Sequence, residues 1–318
     1  MKGIVLRSLA GALAAYALLL VPVLGQGDRQ RVRTVSVPIS IFTKAELRAG
    51  QTEELLEVDR LIVREKGEEA QILSIRSVTD APLALAIVIQ DDVASDFNLH
   101  LRDLQTFIRD LPRGSRVMVA YLRGGSFEVR QRFTDDLDRA ARSLRIVASS
   151  ASVSPRNPYD PLIDVLDRFD ALPAGRRAIL MFSDGLDVST GTIGSTPFQS
   201  TDLERAILRA QRKSVSVFPV FVPTVITQPR IGSGSILLMN GQSSLERLAD
   251  ESGGRAFIQG SYTPINLRPA FRELSMLLNR QFLLSYLSTN MSRGYYRIEV
   301  LSTNSEVKIE HPRGYYFR

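Results

Sequence analysis

From residue 83 to residue 278, short apolar runs alternate with stretches of helical period, and few folds accommodate that alternation. Residues 83–89 (Leu-Ala-Leu-Ala-Ile-Val-Ile) carry no polar side chain, as a strand requires when both faces of its sheet are covered. Residues 178–182 have the same character, 215–222 read as a further strand, and 116–122 and 127–133 read as two strands around Gly124-Gly125. Between them, Phe97, Leu101, Leu104 and Ile108 recur at helical spacing, with Ser95 placed to cap the helix. Further helices are expected from Thr134 to about Ile146, over 162–169, 203–211 and 244–251, the last closed by Gly253-Gly254, and along Leu267, Phe271, Leu274 and Leu278. Strands joined by helical crossovers imply a doubly wound, mostly parallel α/β sheet with helices on both faces. Such a sheet presents functional residues at its carboxyl edge.

The flanks differ. Residues 35–41 alternate with period two, 61–63 and 72–75 are short β-type runs, and Lys66-Gly67-Glu68-Glu69 reads as a hairpin turn. Residues 282–287, 295–301 and 306–309 return to β character. The expected organisation is a leader at 1–25, an N-terminal β segment at 26–80, the α/β domain at 81–280 and a C-terminal β segment at 281–318. The two β segments pair into one small module. Two long loops, 185–200 and 223–243, are rich in Ser, Thr and Gly.

Residues 1–25 have the three parts of an export signal: Lys2 and Arg7, an uncharged Ala/Leu/Val stretch, and Val23-Leu24-Gly25 before a cut at Gln26. The chain is therefore expected to be secreted or periplasmic. The rival reading is an uncleaved membrane anchor, since residues 8–27 are uncharged and long enough to span a bilayer.

Composition removes several chemistries. The 318 residues contain no Cys and two His, His100 and His311. Thiol nucleophiles, disulfides, zinc fingers and iron–sulfur clusters are excluded, and so is a His-rich zinc site within one chain. A bound metal would need oxygen ligands, which suits Mg²⁺, Mn²⁺ or Ca²⁺. Lys+Arg number 40 against Asp+Glu 34, a net +6 spread along the chain with no basic run, so nucleic acid is not an expected partner. Both histidines read as surface or half-buried residues.

The first core strand runs into Asp91-Asp92-Val93-Ala94-Ser95, and residues 178–182 run into Ser183-Asp184-Gly185. In this the sequence resembles a von Willebrand factor type A (VWFA) domain, whose first strand ends in Asp-x-Ser-x-Ser and whose later strand ends in Asp-Gly. The resemblance implies a metal-ion-dependent adhesion site in which Asp91, Ser95 and Asp184 hold Mg²⁺. Two expected ligands are missing: Val93 stands where the motif has Ser, and Arg156, beside Asn157, stands where a third loop supplies Thr. The site is degenerate. A metal-free site is the expectation and a Mg²⁺ (or Mn²⁺ or Ca²⁺) site its alternative. Several scattered pieces are similar to exported bacterial VWFA-related proteins: 111–117 (Leu-Pro-Arg-Gly-Ser-Arg-Val), 133–136, 248–257, 281–286 and Arg313-Gly314-Tyr315-Tyr316.

The resemblance implies a non-enzymatic binding or adhesion protein that recognises an extracytoplasmic protein or ligand through the loops at 91–95, 152–157 and 185–200. With no metal, Arg156 and Asn157 become the binding residues, a guanidinium meeting a partner's acidic group through a two-point fork. A structural subunit of an envelope complex is one alternative and an envelope hydrolase another. No carboxylate pair at a defined separation favours the latter. The plain reading of Asp91 and Asp184 is as helix caps or turn acids, and of Asp187 as a loop acid.

Overall fold

The computed structural model describes residues 31–43, 61–77, 82–150, 157–173, 175–191, 195–227, 234–258 and 266–317. The proposed leader and Arg156 lie outside the described residues. Strands β1 (Arg33–Thr43), β2 (Leu61–Glu65), β3 (Glu68–Ala70) and β4 (Ile72–Arg76) precede the core. The core comprises β5 (Leu83–Gln90), α1 (Leu101–Arg109), β6 (Arg116–Arg123), β7 (Ser126–Thr134), α2 (Leu137–Arg142), α3 (Tyr159–Asp167), β8 (Arg176–Ser183), α4 (Thr201–Lys213), β9 (Val215–Phe221), α5 (Gly234–Ser252) and α6 (Arg268–Asn279). Strands β10 (Gln281–Ser288), β11 (Gly294–Ser302), β12 (Val307–Glu310) and β13 (Gly314–Phe317) complete the chain.

The central sheet has the order β7-β6-β5-β8-β9. β6 and β8 both run parallel to β5, β9 runs parallel to β8, and β7 is antiparallel at the edge. This is the doubly wound fold expected from the alternation of strands and helices. Every residue of β5 is buried, and its alternating side chains feed two cores. Leu83, Leu85, Ile87 and Ile89 meet Leu104 and Phe107 of α1 and Phe271 and Leu274 of α6. The smaller Ala84, Ala86 and Val88 face Leu162 and Leu166 of α3 and Leu203 and Ile207 of α4.

The flanking segments interleave in two four-stranded sheets, β12-β1-β10-β4 and β13-β11-β2-β3, around a third core that includes Val37, Ile39, Leu284, Tyr286, Ile298 and Val300. Neither segment buries its apolar face alone, which is why the chain returns after the α/β core to complete both sheets. Arg176, at the start of β8, ties the two parts together. Its buried Nη1 donates to Leu278 O at the end of α6 (2.6 Å) and to Gln281 O (3.4 Å), a cation at a helix C-terminus. Burial pulls its pKa down to about 10.

Several local expectations change. Ser95 does not cap: Ala94 is the N-cap of a 3₁₀ turn, Ser95–His100, and makes no side-chain capping bond. Thr134 Oγ1 accepts from Asp136 N (3.1 Å), while Asp136 is the cap of α2, accepting from Arg139 N at 2.8 Å. α2 stops at Arg142, where Ser143 Oγ bonds back to Ala140 O (2.7 Å). α5 begins at Gly234, ten residues before the expected start at 244, within what reads as a flexible loop. Tertiary packing overrides its poor local propensity: Leu238 is buried against Phe221 and Leu245. Residues 255–258 supply only one bridge, Phe257 to Val220. His311 is held as a neutral ring by Val300 N and Pro312 O, and burial lowers its pKa.

Candidate functional site

The strand order reverses direction at β5, so β5 and β8 flank the crevice where an open α/β sheet binds ligands. Both strands end there in acids. β5 delivers Gln90, Asp91 and Asp92, β8 delivers Ser183 and Asp184, and all five are buried.

Asp91 and Asp92 go to different partners. Asp91 is met by Arg145, whose Nη1 and Nη2 reach Oδ1 (2.7 Å) and Oδ2 (3.1 Å). Ala148 N adds a third bond at 3.0 Å, and Arg123 stands at 3.8 Å. Arg145 lies over the Tyr121 ring, 4.0 Å from its centroid, and also bonds Glu128 at 3.1 Å. Asp91 and Glu128 raise the pKa of Arg145 against the effect of burial, so the guanidinium stays charged.

Asp92, not Asp91, shares a bridging group with Asp184. The Gln90 side-chain amide donates to Asp92 Oδ1 (2.9 Å) and Asp184 Oδ1 (3.2 Å), while its carbonyl accepts from Ser183 Oγ (2.5 Å). Asp184 also accepts from Leu186 N (3.1 Å), Thr224 Oγ1 (2.7 Å) and Thr227 Oγ1 (3.4 Å). Burial first, and the charge of Asp92 second, push the Asp184 carboxyl up to about 6, against these hydrogen bonds.

This donor set does not suit a divalent cation. A hard cation needs carboxylate and hydroxyl lone pairs turned to one point. Asp91 turns both oxygens to Arg145. Val93 is fully buried and pairs with Thr224 as an isolated bridge. Ser95 is exposed. Between Asp92 and Asp184 stands an N–H donor, the Gln90 amide, in the role of a cation. Among the described residues no three acidic or histidine side chains gather closely enough to ligate a metal.

Asn157 is committed to the scaffold. Its Oδ1 accepts from Tyr159 N (3.0 Å) and Asp160 N (2.8 Å), capping α3, and its Nδ2 donates to Asp202 of α4 (3.0 Å). Asp187 accepts from Ser189 N and Oγ and from Ser200 Oγ, and Ser200 in turn caps α4. Buried Tyr159 donates to Gly185 O at 2.6 Å. Gly185 and Gly241 allow α5 to cross this corner. Gly185 has φ +68°, and a Cβ on Gly241 would lie 2.1 Å from Asp184 O.

Gly241 is thus level with the sheet's carboxyl edge. At about 1.5 Å per residue, the preceding turns of α5 extend about 10 Å beyond it. They carry exposed Ile236 and Met239. Around them, loops at the same edge expose Leu99, Ile146, Phe198, Val225 and Ile226, with Phe198 84 % exposed. The sequence reading missed Gln90, Arg145, Thr224, Thr227 and this rim. The available signals were a polar residue closing an apolar run and the Thr-x-x-Thr spacing after β9.

A doubly wound, mostly parallel sheet with acids at its carboxyl edge is the arrangement expected from the sequence, and the antiparallel edge strand β7 is added to it by the structure. The fold is similar to that of a von Willebrand factor type A domain. No family model matches the sequence, and the search of curated proteins finds no match. Among solved structures the chain is similar to a von Willebrand factor type A protein from Catenulispora acidiphila, at 12% identity, 90% of this chain, 73% of that chain and TM-score 0.47. It is also similar to an aerotolerance-related membrane protein from Bacteroides fragilis (13% identity, 62% of this chain, 98% of that chain, TM-score 0.44). A third is the PilB minor pilin from Streptococcus sanguinis (11% identity, 63% and 62%, TM-score 0.45).

Proposed function

We propose that this chain is an exported, non-enzymatic binding protein that recognises another protein through the carboxyl edge of its VWFA-type domain, without a metal ion. The observation that carries the reading is the division of polarity at that edge. The acids are buried and hydrogen-bonded within the chain, whereas the outward side chains Leu99, Ile146, Phe198, Ile236 and Met239 are apolar and exposed. Large apolar side chains exposed at one edge of a domain are characteristic of a protein interface. Hydrogen bonds to both oxygens of Asp91 and of Asp184 support binding rather than turnover. Export rests on the leader-like residues 1–25.

Photo-crosslinkers introduced at Phe198 and at Met239 in the producing cell should trap one discrete partner, and a crosslinker at Leu301 in the β module should not. Equal capture from all three positions, or capture from Leu301 alone, would place recognition elsewhere. Arg156→Ala provides a separate arm. Lost capture with an intact fold would move the recognition from the apolar rim to an acidic group on the partner.

A further inference from the structure

A second surface lies on the flank of the central sheet. β7 is its outermost strand, so one side of the β7 backbone has no ladder partner among the described residues. Beside it runs a groove of about 760 Å³ whose lining includes Val129, Phe133 and four arginines: Arg130 and Arg132 of β7, Arg139 of α2, and Arg168 just after α3. No acidic residue lines it. Arg130 bonds Glu128 at 3.0 Å, and Arg168 lies 5.2 Å from the Phe127 ring centroid. Arg132, Arg139 and Arg168 make no ion pair among the described residues. Three nearby carboxylates are engaged elsewhere: Asp138 with Arg109 (2.8 Å), Asp167 with Arg209 (2.6 Å) and Asp170 with Lys213.

We infer that this groove docks an acidic, extended peptide segment of a partner protein, which adds as a strand to β7. Three features of the groove agree with such an occupant. The groove is lined by guanidinium groups and no carboxylate, so an anion gains from their charge; Arg is suited to carboxylates through its planar fork. The open edge offers main-chain donors and acceptors, the basis of strand addition. Val129 and Phe133 supply apolar contacts between the charged positions, so a segment alternating acidic and apolar residues matches the groove. A second copy of this chain is a poor occupant. Its own β7 would bring arginines against arginines, and like charges directly opposite one another are destabilising.

The test uses the purified full chain and a fluorescein-labelled nine-residue peptide alternating Glu and Val, the length of β7, followed by fluorescence anisotropy. Saturable binding is expected, weakened by salt. Arg132→Glu combined with Arg139→Glu should weaken it about tenfold or more, with the unfolding midpoint checked in parallel. Arg293→Glu, an exposed change of the same charge in the β module, should leave it unaltered. The same peptide with alternate amides N-methylated should fail to bind. The inference is overturned if the Glu-Val peptide does not saturate, if charge reversal at 132 and 139 leaves affinity unchanged in folded protein, or if the N-methylated peptide or a sulfated oligosaccharide binds as tightly. The last result would describe a general polyanion site.

Discussion

Replacing Asp184 by Asn tests whether the carboxyl edge holds a buried acid without a cation. The Asp184 carboxyl is pushed from its ordinary 3.8 to about 6. That gap of about 2.2, at about 1.36 kcal/mol per pH unit, amounts to about 3 kcal/mol. Because the folded value is the higher one, the folded protein holds a proton that the unfolded chain has already lost between those pH values. The benefit of the neutral acid is complete below about pH 4, declines as pH rises through 6, and is gone above about pH 7. Asn keeps the shape and neutrality at every pH. Its carbonyl oxygen can accept from Leu186 N and the Gln90 amide, and its NH₂ can donate to Thr224 Oγ1, whose hydroxyl rotates. Urea unfolding from pH 4 to pH 8 should therefore show wild type losing stability relative to Asp184→Asn, with the variant ahead by up to about 3 kcal/mol at pH 8 and nearly equal at pH 4. Curves that run parallel across this range would refute the reasoning, since the acid would then titrate alike in both states.

Arg145→Met leaves the buried Asp91 carboxylate with Ala148 N as its close donor and should cost about 3 kcal/mol in urea unfolding. Adding Asp91→Asn should restore most of the loss, and additive effects in that cycle would show the pair to be uncoupled. Gly241→Ala puts a methyl group on Asp184 O and should lower stability by about 2 kcal/mol or more as α5 is displaced; an unchanged midpoint would mean the helix crosses less closely. Millimolar Mg²⁺ or Mn²⁺ should leave the thermal midpoint where EDTA leaves it. A cation at a hundredfold excess over its Kd would add about 2.7 kcal/mol, and a rise abolished in Asp184→Ala would show that the Gln90 amide yields its place.

Much of the architecture follows from local pattern. Eight consecutive buried residues in β5 require a sheet covered on both faces, and the helical repeats between strands require crossovers, which confine the topology to a doubly wound sheet. The same pattern places Asp91 and Asp184 at strand ends, because a strand buried on both faces stops where the chain turns polar. Only the second half of α5 was legible, because its first turns, with Gly234 and Ser235, have weak helical propensity and are held by the packing of Leu238 against Phe221 and Leu245.

The sequence by itself determined the layers of this protein, the position of its acids and the return of the chain to β structure. Only the tertiary structure decided what those acids do. Consecutive residues after β5 leave in different directions, so Asp91 meets Arg145 from 54 positions along the chain, while Asp92 and Asp184 share the Gln90 amide. The same is true of the apolar rim and the arginine groove, each assembled from loops and elements distant in sequence. Periodicity is a local consequence of backbone geometry, whereas the partner of a buried charge depends on which segments folding brings within hydrogen-bond distance.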